Sequence, residues 1–479
     1  MRQLTGADAF FLYSERPSWP MHTGSLVILD PTGVDGFGLD TIHNLIADRI
    51  HLVPEFTMKV KEVPFGLGLP MLVPDPDFTL DYHMLRIAVP SPGGPKEIGD
   101  LVGDLAEIQL DRRRPLWEMW MIEGLAGGRV ALFMKVHHCI LDGASGSGLA
   151  ELLCDLEPNP PKREALPSPV VAEPAPRIPG DAELLVRGVV SAATSPLRMA
   201  RWAADASQRT LRNVGVARRT GGRTMLDPAP ATPWNGTLSP LRRFAYVSVP
   251  LEEIKAIRRQ LDVKVNDVVL ALCAGALRSW LLERGILPDE PLVASVPMSL
   301  RTLGDTELGN KLTNLFAPLA TNVEDPIERI KLIAAGMNAA KEMGNAMKAK
   351  EIRRLSESVT PGLANLAWRA YQSANMESRA PTPSNLVISN VPGAPIPLYS
   401  GGALITGLHP VPPVVMSQGL NITVFSYLDS VDFGFTVDRE KIQDPWEMAQ
   451  GIPTALEELK KAAAAATAPA RASRSAKKS

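Results

Sequence analysis

From Arg129 to His138, apolar and polar positions alternate as they do along a β-strand. Val130, Leu132, Met134, Val136 and His138 fall on one face, with Ala131, Phe133, Lys135 and His137 on the other. The first row is the more apolar, so His138 is expected to point toward a core or a tunnel. His137 shares its face with Lys135 and is expected nearer the periphery. Beyond Gly143 the period lengthens, and Leu149, Leu152, Leu153 and Leu156 follow the i, i+3, i+4, i+7 spacing of an amphipathic helix. Small residues from Gly143 to Gly148 fill the junction and leave room for a ligand close to the backbone. Asp142 stands where a helix N-cap would.

The same alternation of strand and helix patterns recurs on both sides of a proline-rich interval, Pro158 to Pro179. Downstream, the spacing predicts a strand from Arg243 to Val249, a helix from Asp267 to Leu282 and a strand from Leu292 to Val296. A hairpin is predicted from Asn421 to Val437, turning at Leu428-Asp429-Ser430. The fold class is therefore α/β, with a layered domain built twice. Its parts are an N-terminal domain over 1–157, a proline-rich and basic helical connection over 158–240, a C-terminal domain over 241–461, and a basic tail over 462–479. The tail is alanine-rich, then basic, and is expected to be disordered.

Length supports two domains, since 479 residues exceed a single typical core. With 50 basic and 52 acidic residues the chain is near neutral, which argues against nucleic acid as a partner. Three scattered cysteines, Cys139, Cys154 and Cys273, make no disulfide framework and fit a reducing cytoplasm. No apolar signal region opens the chain, and no run of about 18 apolar residues is long enough to span a membrane. One stretch stands out: Arg187 to Arg223 carries eight arginines and a single acid, Asp205, among apolar residues. Such a helix either rests on an anionic membrane or bridges the two domains with its arginines solvated.

The candidate chemistry lies in Val136-His137-His138-Cys139-Ile140-Leu141-Asp142-Gly143. Only seven histidines occur in the chain, and two stand side by side here. An imidazole titrates near neutrality and is the natural general base for a hydroxyl. A buried histidine satisfied by its neighbours is the competing reading. For Asp142 it is a cap or a salt-bridge partner, and for Asn266 a helix N-cap, with Asp267 complementing the helix dipole. No third ligand follows the histidines at a metal-binding spacing, so no metal is expected. Cys139 would face away from His138, and Ser145 lacks a G-x-S-x-G frame, so no covalent acyl-enzyme is needed.

These residues resemble a known family. The stretch from His137 to Gly143 matches the HHxxxDG signature of the bacterial wax ester synthase/diacylglycerol acyltransferases, relatives of chloramphenicol acetyltransferase and of peptide-synthetase condensation domains. Further blocks agree: Leu4 to Asp8 through Met21-His22-Thr23-Gly24, then Asp111 to Glu118 with its Pro115-Leu116-Trp117 core. Asn266-Asp267, Pro297 to Arg301, Ser389 to Gly393 and Gly419 to Thr423 follow in order, so the resemblance runs from about residue 1 to 460. It implies two chloramphenicol acetyltransferase-like domains meeting at a central substrate tunnel. It makes His138 the general base, in a site with His137, Asp142 and Gly143, where Asp142 turns away and orders the loop. Pro115, Leu116, Trp117, Asn266, Asp267, Arg301 and Asn421 become the substrate-binding set, and Asn421 and the Gly143 backbone are candidate oxyanion donors.

The implied activity is acyl transfer from long-chain acyl-CoA, a co-substrate rather than a resident cofactor, to diacylglycerol or a fatty alcohol. Related alternatives are a glycolipid hydroxyl or peptidyl amine as acceptor, or a lipid-binding protein without turnover. Each buried methylene is worth about 0.8 kcal/mol, so an acceptor of roughly sixteen carbons favours lipid over water by something near 12 kcal/mol. The protein is accordingly expected in the cytoplasm, peripherally on the inner membrane or on lipid droplets. Val268, Val269, Leu272 and Ala276, after Asn266, either line the apolar channel or form core.

Overall fold

The computed structural model describes residues 1–64, 68–140, 152–160, 180–186, 223–224, 227–299, 312–346 and 382–475. Asp142, Gly143, Arg301 and the basic stretch from Arg187, apart from Arg223 at its end, lie outside these residues. The chain runs β1 (Arg2–Gln3), α1 (Gly6–Ser14), β2 (His22–Asp30), α2 (Leu39–Arg49), β3 (Met58–Lys61), β4 (Met71–Pro74), α3 (Leu80–His83), β5 (Met84–Ala88), α4 (Pro95–Glu107), β6 (Trp117–Glu123) and β7 (Val130–His137). It continues as β8 (Arg242–Pro250), α5 (Leu251–Leu261), α6 (Val265–Glu283), β9 (Val293–Ser299), β10 (Leu312–Pro318), α7 (Pro326–Ala346), β11 (Leu386–Val391), β12 (Tyr399–Ser400), β13 (Ala403–Val411), β14 (Leu420–Tyr427), β15 (Ser430–Asp438) and α8 (Trp446–Ser475).

Two six-stranded sheets carry the two halves, in the orders β12-β13-β2-β7-β6-β5 and β10-β9-β11-β14-β15-β8, with a small sheet β1-β4-β3 beside the first. The division at 157 and 241 does not follow these sheets. Strands β12 and β13 come from the C-terminal half yet complete the first sheet, with β13 running antiparallel to β2. Helix and strand patterns show which segments form elements, but not which sheet recruits a strand. The predicted hairpin is present, with Tyr427 opposite Ser430 across a two-residue turn whose Leu428 takes a positive φ.

Strand β7 sits between β2 and β6, inside the first sheet, and both its faces are covered. Leu132, Met134 and Val136 pack with Leu12, Ile42 and Ile46, while Ala131 and Phe133 pack against Ile98 and Val102 of α4 and Phe244 of β8. This reverses one expectation. His137 is fully buried, as is Lys135, and it is His138 that retains exposure. The alternation fails because the strand ends at His137 and the chain turns, with the Ile140 N–H returning to the His137 carbonyl at 3.1 Å. Downstream, Leu152 and Leu153 are helical, but Asp155 bridges Tyr399 and Leu156 is exposed, so the predicted helix stops short.

Helix α4 joins the halves. Gly99 and Gly103 let it lie against β8: a Cβ at 99 would stand 2.5 Å from the Phe244 carbonyl oxygen, and one at 103 would stand 3.0 Å from Arg243 Cα. Around this contact Arg243 pairs with Asp104 at 3.1 Å, and Glu107 accepts the Arg242 backbone N–H at 3.0 Å. Lys135 closes the helix end, donating to the Leu105 and Ile108 carbonyls at 3.2 and 2.9 Å. Farther along the seam, Gly434 of β15 faces the Pro410 carbonyl of β13 so closely that any side chain would collide with it.

The second core is built around α6. Among the described residues α6 alone is long and apolar enough to cross a membrane, with mean hydropathy 1.4, yet 72% of that window is buried. Val268, Val269, Leu272 and Ala276 are at most 2% exposed within this core, which places them in packing rather than along a channel. The last helix extends to Ser475 instead of ending near 461, as the high helix propensity of its alanine run allows.

Candidate active site

The site forms where β7 ends. The His138 backbone N–H donates to the Met21 carbonyl at 2.8 Å, which fixes the turn against the segment leading into β2. Its imidazole stacks on Phe11 of α1, ring centroids 4.9 Å apart and 21° from parallel. No hydrogen bond to its ring nitrogens is present among the described residues. Burial, with a contribution from the neighbouring His137 ring, pushes its pKa down to about 4. The ring is therefore neutral around pH 7 and can accept a proton.

His137 has a different environment. Its Nδ1 accepts the Cys139 backbone N–H at 3.1 Å, so the ring proton resides on Nε2. That Nε2 lies 3.5 Å from Glu15 Oε1, with neither side chain more than 1% exposed. Glu15 Oε2 accepts from Arg112 through Nε at 3.1 Å and Nη2 at 2.8 Å, while Oε1 accepts the Met21 N–H at 3.2 Å. Burial alone would raise the Glu15 carboxyl, but the facing His137 Nε2–H and the Arg112 guanidinium hold it down at about 2. The second half reaches the same segment, since buried Arg242 donates to the Ser18 carbonyl. His22 Nε2 pairs with the Ala106 carbonyl at 2.8 Å beneath a small cleft at the seam, lined also by Pro20, Arg242, Pro413 and Thr436.

The sequence-derived site residues separate into those that meet here and those that do not. Leu116 supports the turn through its carbonyl, which accepts the His137 N–H at 3.0 Å. Trp117 is wholly buried, stacked between Phe56 and His83, with its indole N–H donating to the Phe56 carbonyl at 2.9 Å. Pro115, Leu116 and Trp117 thus stand behind the histidine strand as packing. Asp267 is also structural: its Oδ2 accepts the Lys264 N–H at 2.9 Å, and Lys264 rather than Asn266 is the helix N-cap. Asn266 approaches Asn390 of β11 at 3.4 Å, bringing two distant sequence blocks together. Asn421 donates one amide N–H to the Pro413 carbonyl at 2.7 Å, which ties it to the cleft wall.

Glu15, Arg112 and Phe11 were not legible as site residues. Glu15 sits in a polar Ser14-Glu15-Arg16-Pro17 stretch that reads as an ordinary surface loop, and Arg112 is one of three consecutive arginines. The one available signal is that both fall between or within the blocks that flank the histidine strand. Among the described residues no cluster of three or more His, Cys, Asp or Glu is arranged to hold a metal ion.

Comparison with known proteins agrees with this geometry. The profile of the wax ester synthase/diacylglycerol acyltransferase catalytic domain matches residues 4–269, and that of the WS/DGAT C-terminal domain matches 308–460. A putative diacylglycerol O-acyltransferase of Mycobacterium tuberculosis (strain CDC 1551 / Oshkosh) is 37% identical over 464 residues, covering 96% of this chain and 90% of its own. A probable diacylglycerol O-acyltransferase of the same strain is 34% identical over 465 residues, covering 95% and 98%. The wax ester synthase/diacylglycerol acyltransferase from Marinobacter aquaeolei superimposes with a TM-score of 0.69 at 28% identity, covering 97% of this chain and 100% of that one. The first condensation domain of the calcium-dependent antibiotic synthetase shares the fold, with a TM-score of 0.58 at 15% identity over 97% of each chain. On these grounds the chain belongs to the wax ester synthase/diacylglycerol acyltransferase family.

Proposed function

We propose that the protein is an acyl-CoA-dependent O-acyltransferase that makes triacylglycerol from diacylglycerol, wax ester from long-chain alcohols, or both. The observation that carries this reading is the neutral His138 imidazole, held at the end of β7 and stacked on Phe11, within an intact HHxxxDG signature of the family. His138 takes the proton of the acceptor hydroxyl as its oxygen attacks the thioester carbonyl of acyl-CoA. The tetrahedral intermediate collapses, the carbon–sulfur bond breaks, and the imidazolium returns its proton to the departing thiolate. Ester and free CoA result, with no external oxidant or covalent enzyme intermediate. The rest of the rate comes from holding donor and acceptor in line and from stabilising the oxyanion.

Cys139 offers no rival nucleophile, because burial raises its thiol well above the ordinary range. The lipid acceptor favours action at an inner-membrane or lipid-droplet surface, reached from the cytoplasm, and acyl-CoA is consumed as co-substrate without a resident cofactor. Incubating purified protein with labelled palmitoyl-CoA and either diacylglycerol or hexadecanol tests the reading. Labelled triacylglycerol or wax ester on a thin-layer plate is the expected outcome, and label in neither product rejects the assignment.

The pH dependence carries a second expectation. A histidine free in solution titrates near 6.5, whereas His138 lies at about 4. Protonation abolishes the base, so activity is lost as pH falls through the folded-state value, not through 6.5. The acid limb of kcat/KM should therefore fall below pH 5, with rate steady from about pH 6 to 8. A limb centred between pH 6 and 7 would assign the ionisation to a different group.

A further inference from the structure

We propose that Glu15 is a positioning residue for acyl transfer: clamped by Arg112, its carboxylate faces the His137 Nε2 proton and anchors the segment that holds His138. The proposal rests on the acyltransferase reading above for its kinetic consequence, but not for its structural one. Three connections meet at this carboxylate. Oε2 takes both Arg112 donors, and the same Nη2 also donates to the Leu12 carbonyl at 2.7 Å, so the guanidinium is tied to α1. Oε1 takes the Met21 N–H and faces His137 Nε2. Met21 in turn accepts the His138 N–H through its carbonyl. One side chain thus sets the ring orientation of the first histidine and the backbone position of the second.

The donor count explains why a carboxylate is required. Arg112 Nε and Nη2 approach one oxygen, while Met21 N and His137 Nε2 approach the other. His137 cannot turn its proton away, because Nδ1 already accepts the Cys139 N–H. This buried Nε2 makes no well-formed hydrogen bond among the described residues, and Glu15 Oε1 at 3.5 Å is the acceptor it faces. An amide of the same shape has one acceptor and one donor group. Whichever way it points, its NH2 meets either the guanidinium or the Met21 and His137 donors, and one set is left opposed. Glutamine at this position therefore keeps the volume and loses the positioning.

The experiment compares full-length wild type with Glu15→Gln in two measurements. Nitrogen-15 histidine spectra, taken without substrate, should show in the wild type a ring with protonated Nε2 and hydrogen-bonded Nδ1 that disappears in His137→Asn. In Glu15→Gln the Nδ1 resonance, held by the Cys139 N–H, should stay, while the Nε2 resonance should shift as its facing carboxylate is lost. Kinetically, kcat should fall about 10- to 100-fold, the cost seen when partners that orient metal-bound histidines are removed, with KM for acyl-CoA changed less than twofold. A folded Glu15→Gln protein with an unchanged His137 Nε2 signal, or with kcat within twofold of wild type, overturns the proposal. If that variant does not fold, Arg112→Lys, which keeps the charge but removes the paired donors, is read by the same two measurements and the same limits. Absence of any acyltransferase activity in the wild type would reject the function while leaving the histidine spectra to stand by themselves.

Discussion

Replacing His138 by alanine should lower acyl transfer by about 10²- to 10⁴-fold, the range a positioned general base contributes. The fold should survive the change. The backbone bond to Met21 does not involve the side chain. What disappears besides the base is the stacking on Phe11, worth about 0.5–1.5 kcal/mol beyond area burial. Initial rates with labelled palmitoyl-CoA, read beside a melting curve, separate the two effects. Near-normal turnover in a well-folded His138→Ala protein would remove this imidazole from the chemistry.

Trp117→Ala should produce the largest loss of stability, about 3–5 kcal/mol, as truncation of a buried tryptophan ordinarily does. Its ring fills the space between Phe56 and His83, and its N–H satisfies the Phe56 carbonyl, which the truncation would leave buried and unpaired. Trp117 also pairs with Val136 across β6 and β7, one residue before His137. Denaturant unfolding measures the loss, and kinetics distinguishes support from substrate contact. A supporting role predicts a protein that melts early but keeps its KM below that temperature. A large rise in KM at unchanged stability would return Trp117 to the substrate-binding set.

The two variants show where the amino-acid pattern was informative. The histidine strand, the hairpin at Leu428 and the helix after Lys264 were visible because each depends on local periodicity. The relative exposure of His137 and His138 was not, because alternation says nothing once a strand ends in a turn or has both faces covered. Trp117, Asp267 and Asn421 belong to blocks that the family resemblance marks as substrate-binding, yet their side chains are committed to packing, a helix cap and a loop carbonyl. A motif identifies positions under constraint without saying whether the constraint is chemical or structural. Glu15 escaped notice for the opposite reason. Its partners lie far along the chain, and an isolated acidic residue before a proline has no periodicity to betray it.

The recruitment of β13 into the first sheet has a consequence for biogenesis. Thr406 on that strand donates to the Ile28 carbonyl, 378 residues earlier in the chain. As the nascent polypeptide leaves the ribosome, the amino-terminal layer exposes the unpaired rim of β2 until Thr406, 378 residues after Ile28, has emerged. Such a rim is a template for wrong partners, and late long-distance closure is slow. A truncated gene product ending at the proline-rich interval would therefore emerge insoluble, however well formed its own helices are.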